Sequence, residues 1–427
     1  MGLEAASALY RQGRYPEAQQ QALASSDQAE FEAALMLVVK CYVAMGDVDG
    51  LGRMLAVNKQ NGVPPERSLF FILRECLADG HYQQLIALDQ AILPGNILHP
   101  VALYHASCAR MMLGQEDEAL AGFDRFRHAM RDYFDRFPLL VTNNDINVMF
   151  RQGTLVLPAQ ATAAQVAAGA AMAPVQSDFE MVRPRITAGE GPILACCADA
   201  RYIEFFVPRW LESMAMLGFD MHVHVVNPTT DSRALIEDLV GKLQLGGRLS
   251  ASTSIDRYGT STSFACARFE VVPLLLEHLG RTIVAIDIDV GATPRLRDLA
   301  ANLPEAGFAC FETGRREPAS VHQASIMAFS ADDAGLGFVR DLAAYCRPKL
   351  HYPSRLNWML DQAALFSLTR LYARTRSDFR YVALDRFTGL NLADHVYGLA
   401  EDAEKFALKK ASDSPANIDL ANVAWEP

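Results

Sequence analysis

Paired cysteines, long apolar runs and an excess of basic charge are all missing from this 427-residue chain. Its eight cysteines are scattered, with only Cys196 and Cys197 adjacent and no Cys-x-x-Cys anywhere. That argues against a disulfide framework or a thiolate zinc site and for reduced thiols. No stretch approaches the ~18 consecutive apolar residues of a membrane helix, so no membrane span is expected. Lys and Arg number 39 against 50 Asp and Glu, a net charge of −11. Phosphate backbones demand clustered cations, so nucleic acid is disfavoured as a partner. The opening Met1-Gly2-Leu3-Glu4-Ala5 has no basic stretch ahead of an apolar one, so no secretory leader is expected and a cytoplasmic location is.

What is present is an ordinary globular composition, 51% hydrophobic and 21% charged, in a length that predicts two or three domains at ~150 residues each. Four similar phrases recur in the first third: Gln12-Gly13-Arg14-Tyr15, Met45-Gly46-Asp47-Val48, Asp79-Gly80-His81-Tyr82 and Leu113-Gly114-Gln115-Glu116. The glycines are 33, 34 and 34 residues apart, and an apolar residue follows each by five positions (Ala18, Leu51, Leu85, Ala119). Helical apolar patterns flank them. One helix pair cannot bury its apolar face alone, so such pairs stack on one another. A period near 34 with a glycine turn between two helices resembles the tetratricopeptide repeat, which implies an all-α superhelical domain over residues 1–150.

Residues 151–190 change character. Ala159 to Ala173 is nearly all Ala, Gln, Thr, Val and Gly, and Pro174, Pro184 and Gly189-Glu190-Gly191 follow. This reads as a helical or loosely ordered connector. From residue 191 to 427 strands and helices alternate. Strands are predicted over 193–198, 221–226, 282–289, 308–312, 325–329 and 379–384, and helices over 202–216, 233–243, 264–279, 337–346 and 359–371. That order implies a mostly parallel α/β sheet, whose ligands bind at the C-terminal strand ends.

The apolar run Thr282–Ile286 ends abruptly in Asp287-Ile288-Asp289. Two carboxylates there are costly to bury unless paired or bound to a cation. In extended chain, residues i and i+2 share a side, and two carboxylates make a hard oxygen site suited to Mg²⁺ or Mn²⁺. By itself Asp-x-Asp is common, and a solvated turn after a strand is its plainer reading.

Its surroundings resemble the GT-A glycosyltransferases, especially the glycogenin-like (family 8-like) nucleotide-sugar transferases. The likeness covers about residues 190–400. It rests on Ile193–Ala198 with Asp199-Ala200-Arg201-Tyr202, on Leu211–Met214 leading to His222–Asn227, and on Phe264–Phe269. It continues through Ile283–Asp289 with Pro294 and Leu299, and ends with Leu360-Asp361-Gln362-Ala363-Ala364-Leu365. His322–Phe329 stands where that family has an Asn-small-Gly strand, and lacks both the Asn and the Gly.

The resemblance implies a Rossmann-like nucleotide-diphospho-sugar domain that moves a sugar from a UDP-sugar to a protein or glycan acceptor recruited by the repeats, with retention of configuration. Asp287, Asp289 and His395 are the implied metal ligands, with Lys405 near the phosphates. Arg268 and Asp287 meet the donor diphosphate or ribose, a guanidinium being suited to phosphate oxygens. Cys197, Asp199 and Tyr202 border the nucleotide, Tyr202 by stacking. Asp361 and Gln362 orient the reacting sugar. Each has a plainer reading: a helix salt bridge for Arg268, a helix cap for Asp361, core packing for Cys197 and Tyr202, and a structural histidine for His395. Two other classes stay open. One is a repeat scaffold with a degenerate, non-catalytic transferase-like domain, which the altered 322–329 strand favours. The other is a nucleotidyltransferase, disfavoured because Cys196-Cys197-Ala198-Asp199 offers no nest of backbone amides to a phosphate.

Overall fold

The computed structural model describes residues 2–24, 31–60, 65–92, 99–133, 155–183, 186, 191–351, 359–400 and 404. Lys405 lies outside them. The chain forms two compact units, residues 1–154 with 314–321, and residues 155–313 with 322–427.

Among the described residues, the first unit holds eight helices: α1 Gly2–Arg11, α2 Tyr15–Leu23, α3 Phe31–Met45, α4 Val48–Gln60, α5 Pro65–Ala78, α6 Tyr82–Ala91, α7 His99–Met112 and α8 Glu116–Tyr133. They pair as four hairpins, and the four glycines are the corners. Gly13, Gly46, Gly80 and Gly114 all adopt the left-handed conformation, φ 71° to 84°, which a side chain disfavours. Each corner closes in the same way. The glycine N–H bonds the carbonyl three residues back and the next N–H bonds the one five back, as in Gly13 N to Tyr10 O, 2.9 Å, and Arg14 N to Leu9 O, 3.0 Å. This double bond satisfies carbonyls that the ending helix leaves open. The apolar residues that follow each glycine by five, Ala18, Leu51, Leu85 and Ala119, are all buried.

The second unit begins inside the segment read above as a connector. Its Ala/Gly composition marks close helix packing. Helix α9, Ala159–Ala170, runs so near helix α14, Asp333–His351, that a Cβ on Gly169 would lie 1.8 Å from the Ala344 carbonyl oxygen. Strand β1, Gln176–Arg183, follows and joins the sheet edge.

The sheet has eight strands in the order β1-β4-β3-β2-β5-β8-β7-β9. The rest are β2 Ile193–Asp199, β3 Asp220–Val226, β4 Leu249–Asp256, β5 Ile283–Ile286, β7 Phe308–Glu312, β8 His322–Phe329 and β9 Tyr381–Ala383. Neighbours β4, β3, β2 and β5 are parallel, and β7 and β9 are parallel to each other. β1 and β8 run antiparallel to their neighbours, so the sheet is mixed. β6, Val290–Ala292, and β10, Val396–Gly398, make a separate antiparallel ribbon.

The two faces of the central strands differ in chemistry. Leu194, Cys196, Met221, Val223, Val225, Leu249, Ala251, Val284 and Ile286 form an apolar core with Ile203, Phe206, Trp210, Leu211 and Met214 of helix α10, Ala200–Ala215. Period two puts Ala195, Cys197, His222, His224, Ser250, Ser252 and Ser254 on the opposite face. Helix α12, Ser261–Leu279, packs there. α11, Thr230–Lys242, lies between α10 and α12 in the chain and α13, Pro294–Ala301, follows α12; α15, Leu360–Thr375, α16, Leu384–Thr388, and α17, Leu392–His395, come last.

Candidate active site

The acidic pair lies one step beyond its strand. β5 ends at Ile286, and Ile288 and Asp289 form a turn into β6. Asp287 and Asp289 are therefore not consecutive positions of one extended face. The Asp287 N–H bonds Ser325 O of β8 at 3.0 Å, and the Leu399 N–H bonds Asp289 O at 2.9 Å.

Arg268 is the centre of the cluster. It stands on α12, whose start is fixed by a capping box of Thr260 and Ser263. Its Nη1 donates to Asp287 Oδ1 at 2.8 Å and to Ala324 O at 2.9 Å, and its Nε to Ala265 O at 2.8 Å. Only 14% of its side chain is exposed. Burial pulls its pKa down, but the charges of Asp287 and then Asp361 outweigh that, and the net shift is upward. Arg268 is thus a mostly buried cation that pairs with Asp287 and feels the charge of Asp361, not a surface helix salt bridge.

Asp361 is buried. Helix α15 is entered through Met359 in the left-handed conformation, φ 68°, an uncommon state for a bulky residue. Asp361 follows in the first turn and accepts the Gln362 N–H at 2.9 Å. Burial raises its pKa, against the Arg268 charge, which lowers it. Gln362 is half-buried beside it.

At the end of β2, Asp199 caps α10, its Oδ1 accepting from Arg201 N at 2.9 Å and Tyr202 N at 3.1 Å. The Tyr202 hydroxyl is pushed up to about 12 by burial, then by the charges of Asp289 and Asp199. Its ring packs on Phe206, centroids 5.5 Å apart. The Cys197 thiol is also pushed up to about 12, by burial, with Arg268 opposing. Cys197, Arg268, Asp287 and His224 border a cavity of about 10 Å³, room for roughly one water and no ligand. The C-terminal ends of the parallel strands, beside this cavity, form the edge where such sheets take their ligands.

The structure brings Cys197, Asp199, Tyr202, Arg268, Asp287, Asp289, Asp361 and Gln362 to that edge or the helix turns beside it. It does not bring His395 to Asp289. In the β6–β10 ribbon Val396 pairs with Ala292 and Gly398 with Val290. His395 therefore stands by Thr293, whose N–H bonds its carbonyl at 2.9 Å, while Asp289 stands by Leu399. Four residues of extended chain separate these ends, about 13 Å. The His395 ring is buried against Phe311, centroids 5.3 Å apart, and neither nitrogen has a hydrogen-bond partner among the described residues. The reason is register: the ribbon pairing puts Leu399, not His395, opposite the second aspartate. Among the described residues, no group of three or more His, Cys, Asp or Glu side chains is placed to hold a metal ion.

Sequence reasoning missed the Ala324 and Ser325 carbonyls, which hold Arg268 and Asp287. Backbone groups leave no mark in a sequence. It also missed β4, although Ser250, Ser252 and Ser254 alternate with period two opposite His222 and His224.

No family model matches the chain, and no curated protein matches it in sequence. Among solved structures, it is similar to the glycosyltransferase GlyE of Streptococcus pneumoniae TIGR4, at 14% identity and a TM-score of 0.31, over 47% of each chain. It is similar to the galactosyltransferase LgtC, solved in complex with donor and acceptor sugar analogues, at 13% identity and TM-score 0.28, over 41% of this chain and 70% of that one. It is similar to mouse xyloside xylosyltransferase 1, at 12% identity and TM-score 0.26, over 45% and 84%. The chain spans about half the length of GlyE.

Proposed function

We propose that residues 191–427 carry a GT-A glycosyltransferase that moves a sugar, by first choice from a UDP-sugar, to a protein or glycan acceptor. The glycine-cornered hairpins act as a tetratricopeptide-type domain that recruits the acceptor. The observation that carries this reading is the Asp287–Arg268–Asp361 cluster at the C-terminal end of β5, the edge where such sheets take their ligands. A mostly buried arginine bonded to Asp287 and within the electrostatic reach of Asp361, whose pKa is raised, is arranged for chemistry more than for stability.

In this reading Arg268 fixes the direction of Asp287 and faces the donor phosphates. Asp287 and Asp289 offer hard oxygens to Mg²⁺ or Mn²⁺, and Mg²⁺-type sites need only one or two carboxylates, with waters and phosphates completing them. Such an ion, when bound, offsets charge on the departing diphosphate. His395 is not among its ligands. Asp361 and Gln362 orient the transferred sugar, and Asp199, Tyr202 and Cys197 border the nucleotide.

Nucleotide-induced stabilisation tests this. A ligand at 100 times its Kd adds ~2.7 kcal/mol, so UDP with Mn²⁺ raises the melting temperature and Asp289→Ala abolishes the rise. One observation favours the second reading, a scaffold with a non-catalytic transferase-like domain. Arg268 already spends a donor on Asp287, and no three-ligand metal group is assembled among the described residues. That reading prevails if no nucleotide shifts the melt with or without metal.

A further inference from the structure

The face of the sheet beneath α12 holds an unbroken chain of side-chain hydrogen bonds. Ser250 Oγ meets His222 Nδ1 at 2.7 Å, and His222 Nε2 meets Ser252 Oγ at 2.8 Å. Ser252 Oγ meets His224 Nδ1 at 2.7 Å, and His224 Nε2 meets Ser254 Oγ at 2.8 Å. Ser254 Oγ meets Gln176 Oε1 at 2.8 Å, and Gln176 Nε2 meets Asp256 Oδ2 at 2.6 Å. The serines and histidines are all buried. Burial pushes His224 down to about 3 and His222 well below the usual range, so each ring is neutral, with one donor and one acceptor nitrogen.

The direction of this chain follows from proton bookkeeping. The Asp256 carboxylate only accepts. Its Oδ1 takes the N–H groups of Tyr258 at 2.8 Å and Gly259 at 2.6 Å and the Ser263 hydroxyl at 3.1 Å. Its Oδ2 faces Gln176, so the Gln176 amide nitrogen must point at Asp256 and its oxygen at Ser254. Ser254 then gives its single proton to Gln176 and can only accept from His224, which must carry its proton on Nε2. Ser252 must donate to His224 Nδ1, so His222 too is protonated on Nε2, and Ser250 donates to His222 Nδ1.

We infer that Asp256 is a positioning residue that sets the tautomers of both buried histidines through this chain, while its other oxygen clamps the start of the helix that carries Arg268. The inference deepens the reading of the same site, because one carboxylate governs both the β3–β4 ladder and the α12 N-terminus. Its test involves no donor, so the two can fail separately.

The variant that reverses the chain is Asp256→Asn. The Tyr258 and Gly259 amides still require an acceptor, so the Asn oxygen stays with them and its NH₂ turns to Gln176. The Gln176 amide must flip and donate to Ser254. Each hydroxyl then reverses in turn: Ser254 donates to His224 Nε2, His224 Nδ1 to Ser252, Ser252 to His222 Nε2, and His222 Nδ1 to Ser250. Ser250 is left with the Met221 carbonyl, 3.5 Å away.

Imidazole ¹⁵N NMR on the full chain reads this directly. In the unsubstituted protein both histidines are expected as Nε2–H tautomers, and in Asp256→Asn both as Nδ1–H. Adding Ser254→Ala cuts the chain, and the double variant is expected to lose the reversal. A merely structural Asp256 predicts no tautomer change. The inference is overturned by an Nδ1–H tautomer of either histidine in the unsubstituted protein, a measurement that needs no variant to fold. It is also overturned by a folded Asp256→Asn protein that keeps both Nε2–H forms.

Discussion

Asp361 sets stability against use within a single side chain. It is buried, and burial holds its pKa above the ordinary 3.8 despite the nearby Arg268. A carboxylate with a raised native pKa favours folding only while protonated. As pH climbs from 3.8 toward the raised native value, the unfolded chain releases its proton first and stability falls. Above that value the cost is constant. Asp361→Asn is therefore expected to be more stable than the parent protein at pH 7 and to lose the slope of stability on the acid side. If the proposed function holds, sugar transfer by the variant drops by at least about ten-fold, equivalent to ~1.4 kcal/mol of barrier. Urea melts at pH 4 and pH 7 check the first part, and lower stability of the variant at pH 7 would refute it. Such a trade is common where a site holds charge away from water.

At the scale of elements, the helical hairpins depend on four backbone conformations more than on side-chain contacts. A Cβ on Gly13, Gly46 or Gly80 would meet nothing within 4 Å, so substitution there is penalised through φ alone. Gly46→Ala is expected to cost about 1–2 kcal/mol, the left-handed penalty for an L-residue, and Gly46→Asn less, since Asn tolerates that region. Equal losses in the two variants, compared by chemical denaturation, would argue against a conformational origin. These corners were legible in the sequence because nothing else explains a glycine every 34 residues. The strands β2, β3 and β7 were legible because their apolar runs are dense. Three features were hidden. β4 carries alternate serines that bury only because histidines opposite satisfy them, so its pattern looks polar. The Ala-rich 159–170 segment imitates a linker, yet Gly169 is required by the approach of α14. The His395 register is decided by a three-residue ribbon, and no residue type within it announces the pairing. In the site, charged side chains could be named in advance, but the carbonyls of Ala324 and Ser325 that aim them could not.

The molecule as a whole is discontinuous in sequence. The chain leaves the sheet after β7, contributes residues 314–321 to the helical unit, and returns as β8. The contribution is electrostatic as well as steric. Glu317 is fully buried and pairs with Arg74 of α5, N to O 2.8 Å, with 19% of the arginine side chain exposed. Its charge also reaches Tyr104 and Cys108 of α7, where it adds to burial in raising both groups. Removing one partner of a buried pair costs roughly 3–5 kcal/mol, and here the loss falls on helices far away in sequence from the substitution. With two compact units, unfolding is not a single two-state event. Glu317→Ala is therefore expected to lower hydrogen-exchange protection in α5 and α7 preferentially, by that amount, while β2 and β3 keep theirs. Arg74→Met with Glu317→Leu, which replaces the pair by apolar groups, should recover much of the loss, as buried pairs exchanged for packed side chains often do. No loss in α5 and α7 would show that residues 314–321 add nothing to the helices, and uniform loss across both units would show that the contribution is not confined to the helical unit.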